Sequence, residues 1–527
     1  MIRGKIALEL IQKNIQMLQK KSEAINQMTL DEDFNVPDVK PDIYRMIQKK
    51  GDIRIEEVQV IDGKARIRGF LWFRLLYVAD TPQHQVCSLE GKIAIDESLF
   101  LKNIESGDKV SVKWKIEDLS LHIINSRKLN AKAIVEFSAL IDEISEIPFP
   151  IQWKGNLDVS EKRRKVRLTS LGVHKKDTMR KKEEFTLASN MPNIREILWS
   201  DLEVRGLEAR TEEGKIYVKG ELFLFILYAE DESNPLQWLE RVAPFSGEVS
   251  CVGCKSNMIP YVETSMQQTN LEVKVDEDGE ERKIQLDWVL EMDMKLYQES
   301  EESLLVDVYT PQKECIFIRK EQMLEHLLIK NDAKCRIHDR VPILEAQGKI
   351  LQVCHSEGEV KIDHVTLVEN GMRVDGILAL RILYCISDDE MPFYSVETVL
   401  PFSRIIEAEG IGNDCVYQMR AGIDQLLTTM LDSNEIEVRA MLNLDVVVLR
   451  QWRENLITQI TEQDLDMEKL EQMPGIVCYI VQPHDSLWDV AKKFYTTVEE
   501  IKKMNELNEE ELEVWKPLLI VKKTDTI

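Results

Sequence analysis

Two cysteines spaced as in metal and redox motifs, Cys251 and Cys254, are the residues of this sequence best placed to do chemistry. A structural zinc site needs four ligands, and the sequence holds no second Cys-x-x-Cys and no His-x-x-x-His pair. His338, His355 and His364 fall in one stretch, but their spacing fits separate surface strands better than a ligand set. We therefore expect no metal site and no cofactor.

Phosphate chemistry has no motif in this sequence either. A phosphate-binding loop requires Gly-x-x-x-x-Gly-Lys followed by Ser or Thr, and that pattern does not occur. The 93 Asp and Glu residues make any single carboxylate pair uninformative. The sequence predicts a protein that is not an enzyme.

The net charge of −25 and pI of about 5.0 argue against nucleic acid or an anionic membrane as a partner, since both need a cationic face. Two short basic runs, Arg163-Arg164-Lys165 and Arg180-Lys181-Lys182, are interpreted as solvated loops. We find no signal-peptide pattern and no apolar run of ~18 residues, so we expect neither secretion nor a membrane span. Nine scattered cysteines fit reduced thiols in a cytoplasm.

One sequence pattern occurs three times in the chain, at Gly69–Tyr77, Gly220–Tyr228 and Gly376–Tyr384. Each copy is apolar on both faces at period two, which predicts a buried central strand. A buried helix is the alternative, but the aromatic and β-branched content favours a strand. The copies are far enough apart to be tandem domains, because solenoid repeats have periods of ~20–50 residues.

Turn signals place a β-hairpin before each central strand. Asp62-Gly63, Glu213-Gly214 and Asn370-Gly371 each separate two alternating segments. Asp-Gly and Asn-Gly are strong hairpin signals, because both residues of each pair tolerate positive φ. Further upstream, Pro37 is matched with Pro192 and Pro342. Residues 6–28 could form a helix by their apolar spacing, but the repeat favours a strand at their start.

These patterns predict a mainly β protein of three tandem domains, each a β-sandwich or open barrel. We place the domains at residues 1–150, 151–311 and 312–453. An acidic linker, part of it helical, is expected at 454–475. A small α+β module with the order β-α-α-β follows at 476–523.

The C-terminal module begins with a strand at Tyr479 and continues with a helix whose apolar stripe includes Leu487 and Val490. A second helix near Thr497 and a closing strand near Ile520 complete it. The module resembles a LysM domain at Tyr479, Val481, Asp485, Ser486, Leu487, Val490, Ala491, Phe494, Asn505, Leu518 and Ile520.

LysM domains commonly bind glycans that contain N-acetylglucosamine, through the backbone of two loops. The resemblance therefore implies a glycan site at His484, Asp485, Ser486, Asn505 and Trp515. His484 and Trp515 stand where the family usually has glycine, and such bulky residues argue against glycan binding.

A second candidate surface follows from alternation in the module's strands. If Tyr479 and Val481 face the helices, the neighbouring strand residues face outward, and a patch of this kind typically marks a protein contact. The alternative is that the patch packs on the third domain or on the linker. The predicted partner-binding residues are Ile476, Cys478, Ile480, Trp488 and Leu519.

The three β-repeats resemble SPOCS domains at Pro37-Asp38, Pro41-Asp42-Ile43 and the strand Gly69–Tyr77. Followed by LysM, they resemble the SipL-type coat morphogenetic proteins of endospore-forming clostridia. This resemblance implies a scaffold in the mother-cell cytoplasm, at the forespore surface. It would bind the coat morphogenetic ATPase (SpoIVA-type) and other coat proteins, and help localise coat. The rival hypothesis is a cell-wall protein whose LysM domain binds peptidoglycan.

Overall fold

The computed structural model describes residues 9–61, 63–105, 107–154, 159–230, 236–343, 349–388, 392–466, 468, 472–507 and 512–521. Within these ranges the chain is almost entirely strand, with two short helices near the C-terminus. The predicted mainly β fold class is confirmed. None of the described helices is long and apolar enough to cross a membrane.

The first repeat folds into six antiparallel strands. Their bounds are β1 Glu9–Asn35, β2 Ile43–Ile61, β3 Lys64–Ala79, β4 Val86–Phe100, β5 Ser111–Asn125 and β6 Lys128–Lys154. They form two three-stranded sheets, with the orders β2-β3-β4 and β1-β6-β5. The segment 6–28, for which helix and strand were both considered, is strand from Glu9 onward.

The other two repeats have the same topology. The second comprises β7 Ser160–Thr186, β8 Glu196–Glu212, β9 Lys215–Ala229, β10 Leu236–Ser250, β11 Ile259–Val275 and β12 Glu281–Tyr309. The third comprises β13 Lys313–Pro342, β14 Ile350–Val368, β15 Gly371–Ile386, β16 Phe393–Glu407, β17 Cys415–Asp432 and β18 Glu435–Asp464. Their sheets are ordered β8-β9-β10 and β7-β12-β11, then β14-β15-β16 and β13-β18-β17.

The three copies of the repeated pattern form β3, β9 and β15, and each is the central strand of its sheet, as predicted. The two apolar faces of each strand pack in different hydrophobic cores. Leu71, Phe73 and Tyr77 pack inside the first repeat, against the sheet that contains β6. Leu76 and Val78 face the other way, into a core shared with the second and third repeats. Burial on both faces thus reflects one core within each repeat and one core between repeats.

The three repeats close into a ring around this shared core. Leu76, Leu227 and Leu383 occupy the same position of the repeated strand, and all three are buried in one cluster. The ring closes where the last repeat returns to the first. There the Arg45 guanidinium donates to the Phe393 carbonyl oxygen at 2.9 Å. The arrangement therefore approximates threefold symmetry within a single chain.

The first and last strands of each repeat are long and extend beyond its two packed sheets. The start of β1 pairs with the end of β6, and β7 with β12 and β13 with β18 pair in the same way. These three two-stranded ribbons pack on one another and bury Met17, Phe149, Leu168, Leu324 and Leu456. The ribbons form a second core to which all three repeats contribute.

The strands revise details of the predicted organisation. Position 150 lies inside β6 and position 453 inside β18, so two predicted domain boundaries fall within strands. Residues 454–464, predicted as linker, continue β18 because Leu456, Ile457 and Ile460 are buried between ribbons. The remainder of that segment falls partly outside the described residues.

The sequence analysis matched Pro192 with Pro37, but the structure shows that Pro192 corresponds to Pro41. The Tyr77 hydroxyl donates to the Pro41 carbonyl oxygen at 3.0 Å, and the Tyr228 hydroxyl to that of Pro192 at 3.4 Å. Pro342 lies at the end of β13 and matches neither. Similar Pro-Asp and Pro-Asn pairs produced this error of four residues.

The C-terminal module has the predicted β-α-α-β order. Its elements are β19 Ile476–Ile480, α1 Leu487–Lys493, α2 Val498–Met504 and β20 Pro517–Val521. Ser486 and Thr497 cap the two helices, each accepting a hydrogen bond from a backbone N–H three residues on. The helices pack on one face of the β19–β20 sheet through Val481, Val490, Ala491, Leu518 and Ile520.

Candidate functional site

The outer face of the β19–β20 sheet is apolar and exposed. Cys478 lies directly opposite Leu519 in the antiparallel pair, and Ile476 and Ile480 stand two residues to either side of Cys478. Ile476 is 65% exposed, Ile480 42% and Leu519 39%, and Cys478 is also exposed. Four of the five predicted partner-binding residues therefore share one surface, here called the outer face. Their role in partner binding stays a prediction.

Trp488, the fifth predicted residue, lies elsewhere. Its indole N–H donates to Asp307 at 2.9 Å, and its ring packs edge-on against Tyr309, with centroids 4.7 Å apart. Tyr309 is buried in the core of the module, although it belongs to β12 of the second repeat. Trp488 is thus half-buried in a contact within the chain, and the idea of a single five-residue patch is wrong.

Charge reinforces this contact. The Lys492 ammonium lies 2.8 Å from both carboxylate oxygens of Asp307 and 5.1 Å from the centre of the Phe317 ring. Asp307 and Phe317 come from β12 and β13, at the ribbon ends. The module is therefore fixed to the ribbons by its first helix, which leaves the outer face free of these contacts. No sequence pattern indicated a contact between Asp307 and Trp488, because the two residues lie far apart along the chain.

Three of the five predicted glycan residues use their side chains inside the module. The Asp485 carboxylate accepts hydrogen bonds from the Tyr479 hydroxyl at 2.8 Å and from the Gln482 backbone N–H at 2.7 Å. Ser486 caps α1. The Asn505 amide both donates to and accepts from the backbone of Leu519, at 2.7 Å each. These groups hold the two loops in shape.

The other two predicted glycan residues, His484 and Trp515, are exposed and have left-handed backbone, with φ of 71° and 69°. Glycine adopts this conformation without the steric cost that a Cβ incurs. The loops thus keep the backbone shape that their usual glycines allow, although both side chains are large. The backbone N–H of Trp515 donates to the Val481 carbonyl oxygen at 2.9 Å, which connects the second loop to the end of β19.

The groups singled out for metal chemistry have other surroundings. Cys251 and Cys254 are free thiols, both buried, at the turn after β10. Burial raises the pKa of both thiols. Over the ranges that the structure describes, no group of three or more His, Cys, Asp or Glu side chains is placed to hold a metal ion. His338 pairs with Glu437 at 2.8 Å, and His355 is buried between repeats.

A buried ionic cluster joins the repeats, and the sequence analysis missed it. The Lys50 ammonium donates to Asp201 at 2.7 Å and also contacts Glu357. The Trp199 indole donates to Asp201 at 2.8 Å, and His355 Nε2 lies 3.2 Å from the same carboxylate. Burial opposes the charge of Asp201, but Lys50 and His355 outweigh it and hold the pKa of Asp201 below its usual range. Aligning the repeats would have revealed these complementary charges.

Comparison with protein families agrees with the geometry. The family described as "SipL, SPOCS domain" matches residues 42–124, 193–274 and 349–431, and the LysM domain matches residues 479–520. Each SPOCS match covers the four inner strands of one repeat, from β2 to β5 in the first. The long ribbon strands lie outside the matches. Neither the curated proteins nor the solved structures gave a significant match.

Fold and family together define a protein of tandem SPOCS domains, a class connected with sporulation. With its C-terminal LysM domain, the chain has the SipL-type architecture. Both domain families are non-catalytic.

Proposed function

We propose that this chain is a non-enzymatic scaffold of endospore formation whose LysM domain binds the coat morphogenetic ATPase of the SpoIVA type. The observation that carries the proposal is the exposed outer face of Ile476, Cys478, Ile480 and Leu519. Clustered apolar side chains in water favour association with a partner. The identity of the partner rests on the resemblance to SipL-type proteins.

The docked position of the module supports a scaffold. Trp488 and Lys492 bind the ribbon ends, so the outer face is held in a fixed direction relative to three large repeats. A partner bound there would be placed at one end of the molecule. We propose that the repeats contact other coat proteins, and that the protein acts in the mother-cell cytoplasm at the forespore surface. Linked weak contacts of this kind raise avidity.

The experiment is co-elution of the purified chain with the purified ATPase, using outer-face variants. Ile476→Arg and Leu519→Arg place a charge on the apolar face and should lower affinity by at least about tenfold, as for central apolar contacts. Val242→Arg, an exposed apolar position on β10, is the matched control and should bind normally. Normal binding by both outer-face variants would refute the proposal.

Peptidoglycan binding is the second candidate, and one observation favours it. His484 and Trp515 keep the left-handed backbone of the two loops, and an exposed indole is suited to stacking on a sugar. Against it, the side chains of Asp485, Ser486 and Asn505 are engaged within the module. Saturable retention on insoluble spore cortex, lost in Trp515→Ala, would favour this candidate over the ATPase.

A further inference from the structure

A basic cavity lies where the first repeat meets the second. It has a volume of about 560 Å³, within the ~300–1,000 Å³ typical of small-ligand sites. Four cationic residues line it: Arg54 on β2 and the run Arg180, Lys181 and Lys182 on β7. The run was interpreted from sequence as a solvated loop; the structure places it on a strand. Such a concentration of positive charge is unexpected in a chain of net charge −25.

Most of this charge is not neutralised by the protein. Arg180 and Lys181 have no acidic partner among the described residues. Lys182 lies 3.2 Å from Glu184, and Arg54 lies 3.5 Å from the exposed carboxylate of Asp52. Asp287 also lines the cavity and accepts a hydrogen bond from Gln285 at 2.7 Å. The lining therefore carries a clear excess of positive charge, which favours an anion.

We propose that this cavity binds a small polyanion that carries phosphate or carboxylate groups. Arg54 and Arg180 present guanidinium groups, which suit the oxygens of either group. Because Arg54 belongs to the first repeat and the other groups to the second, the ligand would bridge the two repeats. This site is separate from the outer face and does not depend on the ATPase.

The test is calorimetric titration of the full chain with pyrophosphate and, separately, with citrate, at low and at moderate salt. We expect saturable binding of one ligand per chain, weakened by salt. Arg180→Glu with Lys182→Glu should weaken it by at least about tenfold, since hydrogen bonds to charged groups are among the stronger ones. Lys165→Glu, which reverses a single charge on β7 outside the cavity lining, should bind normally.

The two probes separate the ligand chemistries. Binding of pyrophosphate alone identifies a phosphate site, binding of citrate alone a carboxylate site, and both outcomes support the proposal. Absence of saturable binding of either probe would overturn it. Equal weakening by Lys165→Glu would also overturn it, because the effect would then be general charge attraction. Circular dichroism shows whether a variant is folded, and Arg180→Ala with Lys181→Ala replaces any variant that is not.

Discussion

Lys50 and Asp201 occupy the same position in the first and second repeats, and their side chains form a 2.7 Å ion pair across the centre of the ring. Each lies opposite the same position of the repeated strand, Arg74 for Lys50 and Phe225 for Asp201. Glu357, opposite Arg381, completes the set and also contacts Lys50. Repeats of one fold thus carry complementary charges at one position, which favours their order around the ring.

Asp201→Asn should therefore destabilise the ring. Asp201 is 6% exposed, and removing its charge leaves Lys50 with Glu357 as its remaining carboxylate partner and His355 without its nearest carboxylate. Breaking a buried ion pair typically costs about 3 kcal/mol or more. The urea midpoint, followed by tryptophan fluorescence, should fall clearly. Asp96→Asn, which removes an exposed pair with Arg66, should change the free energy of unfolding by ~1 kcal/mol or less. Equal effects of the two substitutions would contradict the role given to Asp201.

A buried carboxyl between ribbons gives stability a dependence on pH. Glu325 is 3% exposed, and one of its oxygens has no partner in the described structure. Burial raises its pKa to about 7, although a hydrogen bond from Gln451 opposes the rise. The folded state therefore holds a proton that the unfolded state releases from about pH 4.5. The contribution of Glu325 to the free energy of unfolding must therefore fall as pH rises from about 4.5 to 7, and it stays constant above pH 7.

Glu325→Gln should remove this dependence. The variant should be more stable than the parent at pH 8 by about 3 kcal/mol, since one pKa unit corresponds to ~1.4 kcal/mol. At pH 4.5 or below the two should be nearly equal. Urea unfolding across this pH range measures the difference. Glu321→Gln is the control, because Glu321 is exposed on the same strand. A parallel pH dependence for parent and Glu325→Gln would exclude the effect.

The sequence predicted the strands well and their assembly poorly, for physical reasons. Alternation and turns identified β3, β9 and β15, because burial on each face leaves an apolar signal. The same signal could not say that Leu76 faces other repeats while Leu75 faces its own. Ion pairs such as Lys50 with Asp201 join residues distant in the chain, and only their shared position in the aligned repeats relates them. The basic cavity was missed because Arg54 and Arg180 approach each other only in the fold.

The LysM module was predicted in the same uneven way. Its order of elements and its outer face follow from local periodicity. The direction of Trp488 does not, because its partners Asp307 and Tyr309 belong to the second repeat. An apolar residue outside a helix's core stripe indicates a contact, but not whether the contact is within the chain or with a partner.

Asp307→Ala should release the module from the ribbons without unfolding it. The substitution removes the acceptor of both Trp488 and Lys492. Hydrogen exchange in α1 and around Tyr309 should increase, and small-angle scattering should show a larger radius of gyration. Asp464→Ala, at an exposed ion pair with Lys313, is the control and should leave both measurements unchanged. An unchanged radius in Asp307→Ala would mean that these contacts do not hold the module.

Trp515→Gly should stabilise the LysM module. Trp515 has φ of 69° and is 66% exposed, so its side chain contributes little packing while its Cβ causes strain. Left-handed backbone costs an ordinary residue roughly 1–2 kcal/mol, part of which is offset because glycine is more flexible when unfolded. A gain of about 0.5–1 kcal/mol is expected in the thermal unfolding of the module. Trp515→Ala keeps the Cβ and should show no gain. If both substitutions stabilise equally, the side chain and not the backbone is responsible.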